Sequence, residues 1–289
     1  MKAREKKSVL IRRQGMAGLV FMIPWLLGIC IFTAVPMLYS MWLSVCRVDF
    51  SNGISTHFIG AKWYVEALRA DTNFTPRLLD TLKFIGFLTP MIIVVSVIFA
   101  VLLNKSLPGR GFFRALFFFP VVFINGPVMN KLIGNDATAI ITPTDYSFYR
   151  IIETLPDPIS VPLLYIFDNV VIILWFSGIQ ILIMLSALQK VSESLYEAAS
   201  IDGASKWQVF WKITLPTLRP MLLVSAVYTI VDLSNYSGNT VTAYIKEMLT
   251  KTDRTYAYSA AMSWMYALMV LLLLLVAFLL LRERRGKQK

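Results

Sequence analysis

The chain has 289 residues, 57% of them hydrophobic and 16% charged, with a mean hydropathy of +0.64. A soluble domain carries about 25% charged residues, so this composition excludes a water-soluble globular protein and describes an integral membrane one. The net charge of +11 would point a soluble chain toward nucleic acid, but here the basic residues sit between apolar runs, and no nucleic-acid partner is expected.

Residues 1–13 hold six Lys or Arg, and no charge follows until Arg47. That apolar run is far longer than a signal core and has no small-residue cleavage site, so it predicts an uncleaved first span over residues 16–45. It exceeds the roughly 20 residues that cross a bilayer, so it must tilt or kink, and Pro24 and Pro36 are the expected places. The second span is predicted over 84–104, with Pro90 inside it. A short basic turn follows, with Lys105, Arg110 and Arg114 among Pro108, Gly109 and Gly111. The third span, 115–132, is interrupted by Asn125, Gly126 and Pro127, which lipid tolerates only where protein or a cavity supplies backbone partners.

Residues 134–165 are polar and punctuated by proline, and predict an outer loop with one short helix. The fourth span covers 167–189 and contains Gln180. After a polar segment, 190–217, the fifth span covers 220–241 and is broken by Asp232 and Asn235. A second outer loop, 237–258, leads to the sixth span, 259–281, and a basic tail, 282–289. The expected fold class is therefore all-α integral membrane with six transmembrane helices. Residues 1–15 and 282–289 flank a single transmembrane domain, 16–281.

With the amino terminus inside, the inner segments hold 18 basic and 5 acidic residues, and the outer ones 10 and 12. The positive-inside rule then places both termini and segment 190–217 in the cytoplasm.

That segment contains residues 197–216, EAASIDGASKWQVFWKITLP. Ser194 with Glu197 reads as a capping box for a helix starting at Leu195. Gly203 should end this helix, Ser205 should cap a second one carrying Trp207, Phe210 and Trp211, and Pro216 should stop or turn it. Glu197, Ala198 and Ala199, then Gly203 three residues on, then Ile213, Leu215 and Pro216 after nine more, resemble the EAA loop of permease subunits of bacterial ABC importers. Every fixed position is filled at the right spacing. The resemblance implies a type I ABC importer permease fold whose first loop helix is a cytoplasmic coupling helix seated on a separate ATPase subunit.

Three further stretches resemble the sugar-type branch of that family: FMIPWLLGICIFTAVPMLYSMWLS, GRGFFRALFFFP and AYSAAMSW. FIGAKWYVEAL resembles its short outer helix, although Lys62 and Trp63 replace the usual acidic residue and asparagine. The second outer loop lacks the glycine-rich run common in relatives. The resemblance implies a bacterial cell-membrane importer subunit working with a second permease, ABC ATPase subunits and an extracellular solute-binding protein, for a sugar or oligosaccharide. A non-sugar solute and a gradient-driven secondary transporter stay open as alternatives, as does a structural or receptor protein.

No phosphate-binding GxxxxGK[ST] loop occurs, nor GxSxG, HExxH or a paired His and Cys set, so neither ATP hydrolysis nor other enzymatic chemistry is expected on this chain. Cys30, Cys46 and the single His57 offer no metal or cofactor site. Polar groups at membrane depth are costly unless they face a bundle interior or a wet cavity, which makes Asn125, Asn130, Gln180, Asp232 and Asn235 candidates for the solute path, with Tyr228 and Tyr236 as stacking surfaces. Each has a plainer reading. Asn130 and Asn235 can lie at the outer interface, Gln180 can bond a neighbouring helix, and the tyrosines can anchor the interface.

Overall fold

The computed structural model describes residues 21–49, 55–104, 111–112, 115, 147–251 and 256–282. Helix α1 (Phe21–Leu43) leads into a hairpin of β1 (Cys46–Asp49) and β2 (Ser55–Phe58), paired antiparallel with Cys46 opposite Phe58. Next come α2 (Lys62–Arg69), α3 (Phe74–Asn104), α4 (Ser147–Glu153), α5 (Asp157–Asp168) and α6 (Val170–Leu188). The chain ends with α7 (Glu193–Ile201), the long helix α8 (Lys206–Ser234), α9 (Thr240–Thr250) and α10 (Tyr256–Leu281). Among the described residues, α1, α3, α6, α8 and α10 are long and apolar enough to cross a bilayer. The predicted third span lies outside the described residues.

Several boundaries differ from the sequence reading. Helix α3 begins ten residues before position 84, because Asp80 and Lys83 are exposed and Arg77 is half-buried, so these charges cost little in a helix that leaves the membrane. The 134–165 region contributes α4 and most of α5 rather than one short helix, and the 237–258 loop is mostly α9. The fifth span ends at Ser234, seven residues before 241. Among the described residues the β1–β2 hairpin departs from the all-α expectation.

Two prolines, Pro36 expected to kink its span and Pro216 expected to stop or turn its helix, are accommodated within continuous helices. In α1 a π-helical turn, Cys30–Ala34, stands immediately before Val35 and Pro36, and the Val35 amide donates to the Cys30 carbonyl five residues back. In α8 the same arrangement recurs at Phe210–Thr214, before Leu215 and Pro216, with the Leu215 amide donating to Phe210. Proline has no amide to give and its ring collides with the carbonyl four residues earlier. A wider turn moves that carbonyl aside and lets the helix run on.

The chain divides into two compact units. Residues 76–243 and 266–289 form one of them. Its core joins Ile85, Leu88 and Ile92 of α3, Ile173 and Phe176 of α6, Ile230 and Leu233 of α8, and Met269 of α10. A second cluster sets Val97, Ala100 and Leu103 against Ile181, Met184 and Leu188, with Leu218. Lipid is as apolar as leucine, so close packing rather than escape from water holds such helices together. Hydroxyls within the spans bond back to their own helix: Thr89 donates to Ile85 at 2.7 Å and Ser96 to Ile92 at 2.6 Å. These two hydroxyls then carry no unpaired donor into the hydrocarbon.

The other unit comprises residues 1–75 and 244–265. Here Trp264 Nε1 donates to Ser40 Oγ at 3.1 Å, fastening the start of α10 to α1. Trp63 of α2 donates to the Cys46 carbonyl at 2.8 Å and sets its ring edge against Tyr258 at 5.7 Å.

Candidate functional site

The loop between α6 and α8 folds as two helices around Gly203. Helix α7 starts after Ser192, whose extended backbone marks the cap position. The predicted Ser194–Glu197 box does not form. Ser194 lies inside the first turn and its hydroxyl donates to Ser192 Oγ at 3.1 Å instead. At the other end the Gly203 amide donates to Ser200 at 3.1 Å and the Ala204 amide to Ala199 at 2.9 Å. These two bonds make a Schellman closure, which requires a left-handed residue, and Gly203 has φ +75°. A Cβ on Gly203 would meet nothing within 4 Å, so its constraint is conformational and not spatial.

Ser205 then caps α8. Its Oγ accepts from the Gln208 amide at 3.3 Å while Gln208 Oε1 accepts from the Ser205 amide at 2.9 Å, a reciprocal box that the sequence reading placed one helix too early. Trp207, Phe210 and Trp211 pack on one another at 5.4–6.5 Å. Pro216, expected to stop this helix, lies beyond the π turn and inside it. Tyr196 of α7 meets the buried Thr214 hydroxyl at 3.4 Å. Glu197, Ala198, Gly203 and Pro216 are exposed, Ile213 and Leu215 are half-buried, and Ala199 is buried. The carboxylate of Glu197 is paired with no described basic side chain. Ile201, 86% exposed, and Trp207, 70% exposed, put apolar surface on either side of Gly203.

The described membrane-depth polar residues do not converge. Asn125 and Asn130 lie outside the described residues. Gln180 is fully buried and its Nε2 donates to Thr229 Oγ1 at 2.8 Å, joining α6 to α8; Thr229 in turn donates to the Ser225 carbonyl at 2.7 Å. Gln180 Oε1 and Ser225 Oγ have no partner among the described residues. Tyr228 and Asp232 lie one turn apart on another face of α8, which exposes Val224, Val227 and Val231 as well. Asp232 is half-buried and stands in the last turn of the helix, and Asn235 caps that helix, its Nδ2 donating to Val231 at 2.8 Å. Neither is mid-helix, as the longer predicted span had implied.

A cleft of about 390 Å³ opens beside that helix end. Phe84, Tyr165 and Tyr236 wall it, with Asp80, Thr81 and Asn239 as polar groups. Tyr236 is wedged between Phe84, stacked at 6.3 Å, and Phe176, edge-on at 5.6 Å. A Cβ at Gly238 would come within 2.6 Å of the Tyr236 ring, so this ring position needs glycine there. Asn239 caps α9 by accepting from the amides of Val241 and Thr242, and donates to Tyr266 at 2.7 Å. Of the residues proposed from sequence, Tyr236 lines the cleft, whereas Gln180, Tyr228, Asp232 and Asn235 do not.

A buried carboxylate escaped the sequence reading. Asp71 is 7% exposed and accepts from the amides of Asn73 and Phe74 at 2.9 and 3.1 Å, from Tyr244 at 2.9 Å and from Tyr258 at 2.7 Å. Burial pushes its pKa up, but the hydrogen bonds from Tyr258, Asn73, Tyr244 and Phe74 together outweigh burial and hold it below the usual carboxylate value. The aspartate two residues before Asn73 and three before α3 was a readable turn signal. Its two tyrosine partners were not.

The chain matches the family described as "Binding-protein-dependent transport system inner membrane component" over residues 67–282. It is 28% identical to the lactose transport system permease protein LacF of Rhizobium radiobacter, covering 98% of this chain and 100% of that protein. It is 30% identical to the sn-glycerol-3-phosphate transport system permease protein UgpA of Escherichia coli O157:H7 over 72% of this chain and 71% of the other. Among solved structures it is similar, with a TM-score of 0.63 and 20% identity over 93% of this chain and 95% of the other, to a chain of a bacterial alginate ABC transporter crystallised with an alginate pentasaccharide-bound periplasmic protein. At that identity the likeness shows the fold alone, the type I permease fold.

Proposed function

Since this chain belongs to the binding-protein-dependent transport system inner membrane component family, we propose that it is one permease subunit of an ATP-driven sugar importer, with segment 190–217 as its coupling loop. The observation that carries the reading is the loop itself. EAA, Gly203 and IxLP occupy a helix, a Schellman turn and a capped second helix that runs unbroken into a membrane span. A force applied to α7 is therefore passed to α8 through one glycine turn and a rigid helical segment.

Glu197 is the group offered to a cation on the ATPase, and Ala198 leaves room for close approach. Ala199 and Gly203 close the turn, and Ile213, Leu215 and Pro216 carry the second helix into the bilayer. The ATPase hydrolyses ATP in a separate subunit, which fits the absence of a phosphate loop here. The excess of basic residues on one side supports a cytoplasmic location for both termini and this loop. The exposed face of α8 bearing Tyr228 and Asp232 is the part of the solute path this subunit contributes, opposite a second permease, with an extracellular solute-binding protein delivering the solute.

Sugar as solute is supported by the lactose permease relative. The glycerol-3-phosphate permease relative favours a second reading, a small phosphorylated polyol. Affinity purification of the tagged chain from its own cells, followed by reconstitution with the copurifying subunits, tests the proposal. An ATPase subunit should copurify, and labelled oligosaccharide uptake should require ATP and the solute-binding protein. Uptake driven by an ion gradient without ATP would overturn it.

A further inference from the structure

The surface formed by β2 and α2 has no role in the loop or in the solute path. Helix α2 is two-sided. Its inner face is pinned by Trp63 on the Cys46 carbonyl, by the Tyr64 hydroxyl 2.7 Å from Ser44 Oγ, and by the buried Ala67, whose carbonyl lies 3.3 Å from Thr75 Oγ1. Its outer face shows Ala61, Val65 and Leu68, at the i, i+4, i+7 spacing that aligns side chains along one helix face. Val65 and Leu68 are 50% and 51% exposed, and the exposed Lys62 and Arg69 flank them.

The position of α2 along α1 says what covers that face. Ser44 is the first residue beyond α1, so its bond to Tyr64 holds α2 level with the end of a membrane span. Phe58 of β2 stacks on Trp42, in the last turn of α1, at 6.1 Å, and both rings are more than half exposed. The exposed, apolar flank of α1 thus ends at the Trp42–Phe58 pair, and the Val65–Leu68 face belongs to a helix tethered at that same end of the span. Tryptophan gathers at that depth, and a helix with an apolar stripe between basic residues lies in the headgroup plane with its cations reaching lipid phosphates.

We propose that α2 and β2 form an interfacial collar, with Val65, Leu68 and Phe58 seated in the bilayer's headgroup layer and Lys62 and Arg69 bound to phospholipid phosphates. The collar fixes the depth of α1, and through Trp63 and Tyr64 the position of the strand and helix packed on it. The proposal needs α1 to span a membrane and is independent of which solute is carried or what drives it.

Single cysteines at Val65 and Leu68, in a Cys30→Ser, Cys46→Ala background of the full chain, are spin-labelled and placed in nanodiscs of phosphatidylethanolamine and phosphatidylglycerol. Labels at Ser200→Cys and Leu271→Cys serve as the aqueous and hydrocarbon references, and also report that the chain is folded. The labels at 65 and 68 should collide with a water-soluble nickel chelate at least several-fold less than the label at 200, and with oxygen at a level between the two references. Lys62→Gln with Arg69→Gln should raise chelate collision about two-fold or more in phosphatidylglycerol nanodiscs. Chelate access equal to that at 200 overturns the collar. So does protection that appears only after the solute-binding protein is added, which would assign the face to protein docking.

Discussion

The Tyr258 hydroxyl donates to Asp71 at 2.7 Å, across 187 positions of sequence, and so ties the start of α10 to the turn ahead of α3. Tyr244 donates to both oxygens of the same carboxylate. The four donors hold Asp71 ionised against its burial, so its folded-state pKa lies below the usual carboxylate value.

A carboxylate with a depressed folded pKa contributes stability that is present above its unfolded value and is lost as pH falls through the folded one. Asp71→Asn keeps the shape and should destabilise the chain by about 1.5–3 kcal/mol at pH 7, the range for hydrogen bonds to a charged group. The deficit, read as the apparent unfolding midpoint in nanodiscs at a fixed scan rate, should shrink as pH is lowered below about 4. A deficit that does not change with pH would show that packing, not charge, is what Asp71 supplies.

Gly203 sits in the left-handed region with open space around its missing side chain. A left-handed conformation costs an ordinary residue roughly 1–2 kcal/mol and asparagine less. Uptake and copurification of the ATPase should therefore rank glycine, then Gly203→Asn, then Gly203→Ala, then Gly203→Val. If the partner subunit instead needs the bare backbone, asparagine, the larger side chain, will be worse than alanine, and the reversed order will appear in a pull-down.

Helices α6 and α10 were legible because charge-free runs in lipid admit one secondary structure. The ends were harder. Helix α3 starts ten residues early because Phe74, Leu78, Leu82 and Ile85 continue an apolar stripe through its first turns, where the charges of Arg77, Asp80 and Lys83 interrupt the charge-free run by which the span was read. Pro216 read as a stop because the π turn that relieves it has no sequence mark beyond the proline itself. The β1–β2 hairpin was invisible because four-residue strands carry too little alternation, with Val48 buried and the residues of β2 all exposed. In the loop, local signals worked where they act within a few residues, as at Gly203 and Ser205. They failed where the partner is distant, as for Asp71 with Tyr258.

Sidedness follows from a pair of exposed positions. Ser200 lies on α7, and Thr154 lies between α4 and α5. With cysteine at either position and Cys30 and Cys46 removed, an impermeant thiol reagent applied to intact cells should label Thr154→Cys strongly and Ser200→Cys at least about ten-fold less. Permeabilised cells should show both. Ser160, although close to Thr154 in sequence, is 5% exposed and would report burial in place of sidedness. Labelling of position 200 in intact cells would place the loop outside and remove its coupling role.

Asp232 stands in the last turn of α8, where the helix dipole is negative. A carboxylate there is unfavourable by about 0.3–1 kcal/mol at an exposed site, and lipid depth adds to the cost. As a scaffold residue it is a poor choice, and no described side chain donates a hydrogen bond to it. Its neighbour one turn back is Tyr228, and neither side chain takes part in the Gln180–Thr229 contact that joins α8 to α6. A carboxylate beside an aromatic ring is chemistry suited to sugar hydroxyls and an apolar sugar face. Asp232→Asn should therefore leave the apparent unfolding midpoint unchanged or slightly raised, because the charge opposing the dipole is gone. Transport should fall by about ten-fold or more if a charge-assisted hydrogen bond to solute of roughly 1.5–3 kcal/mol is lost. The two readouts move in opposite directions only if Asp232 acts on solute. A lowered midpoint with wild-type uptake per folded molecule would return Asp232 to the scaffold, and with it the assignment of this face of α8 to the translocation path.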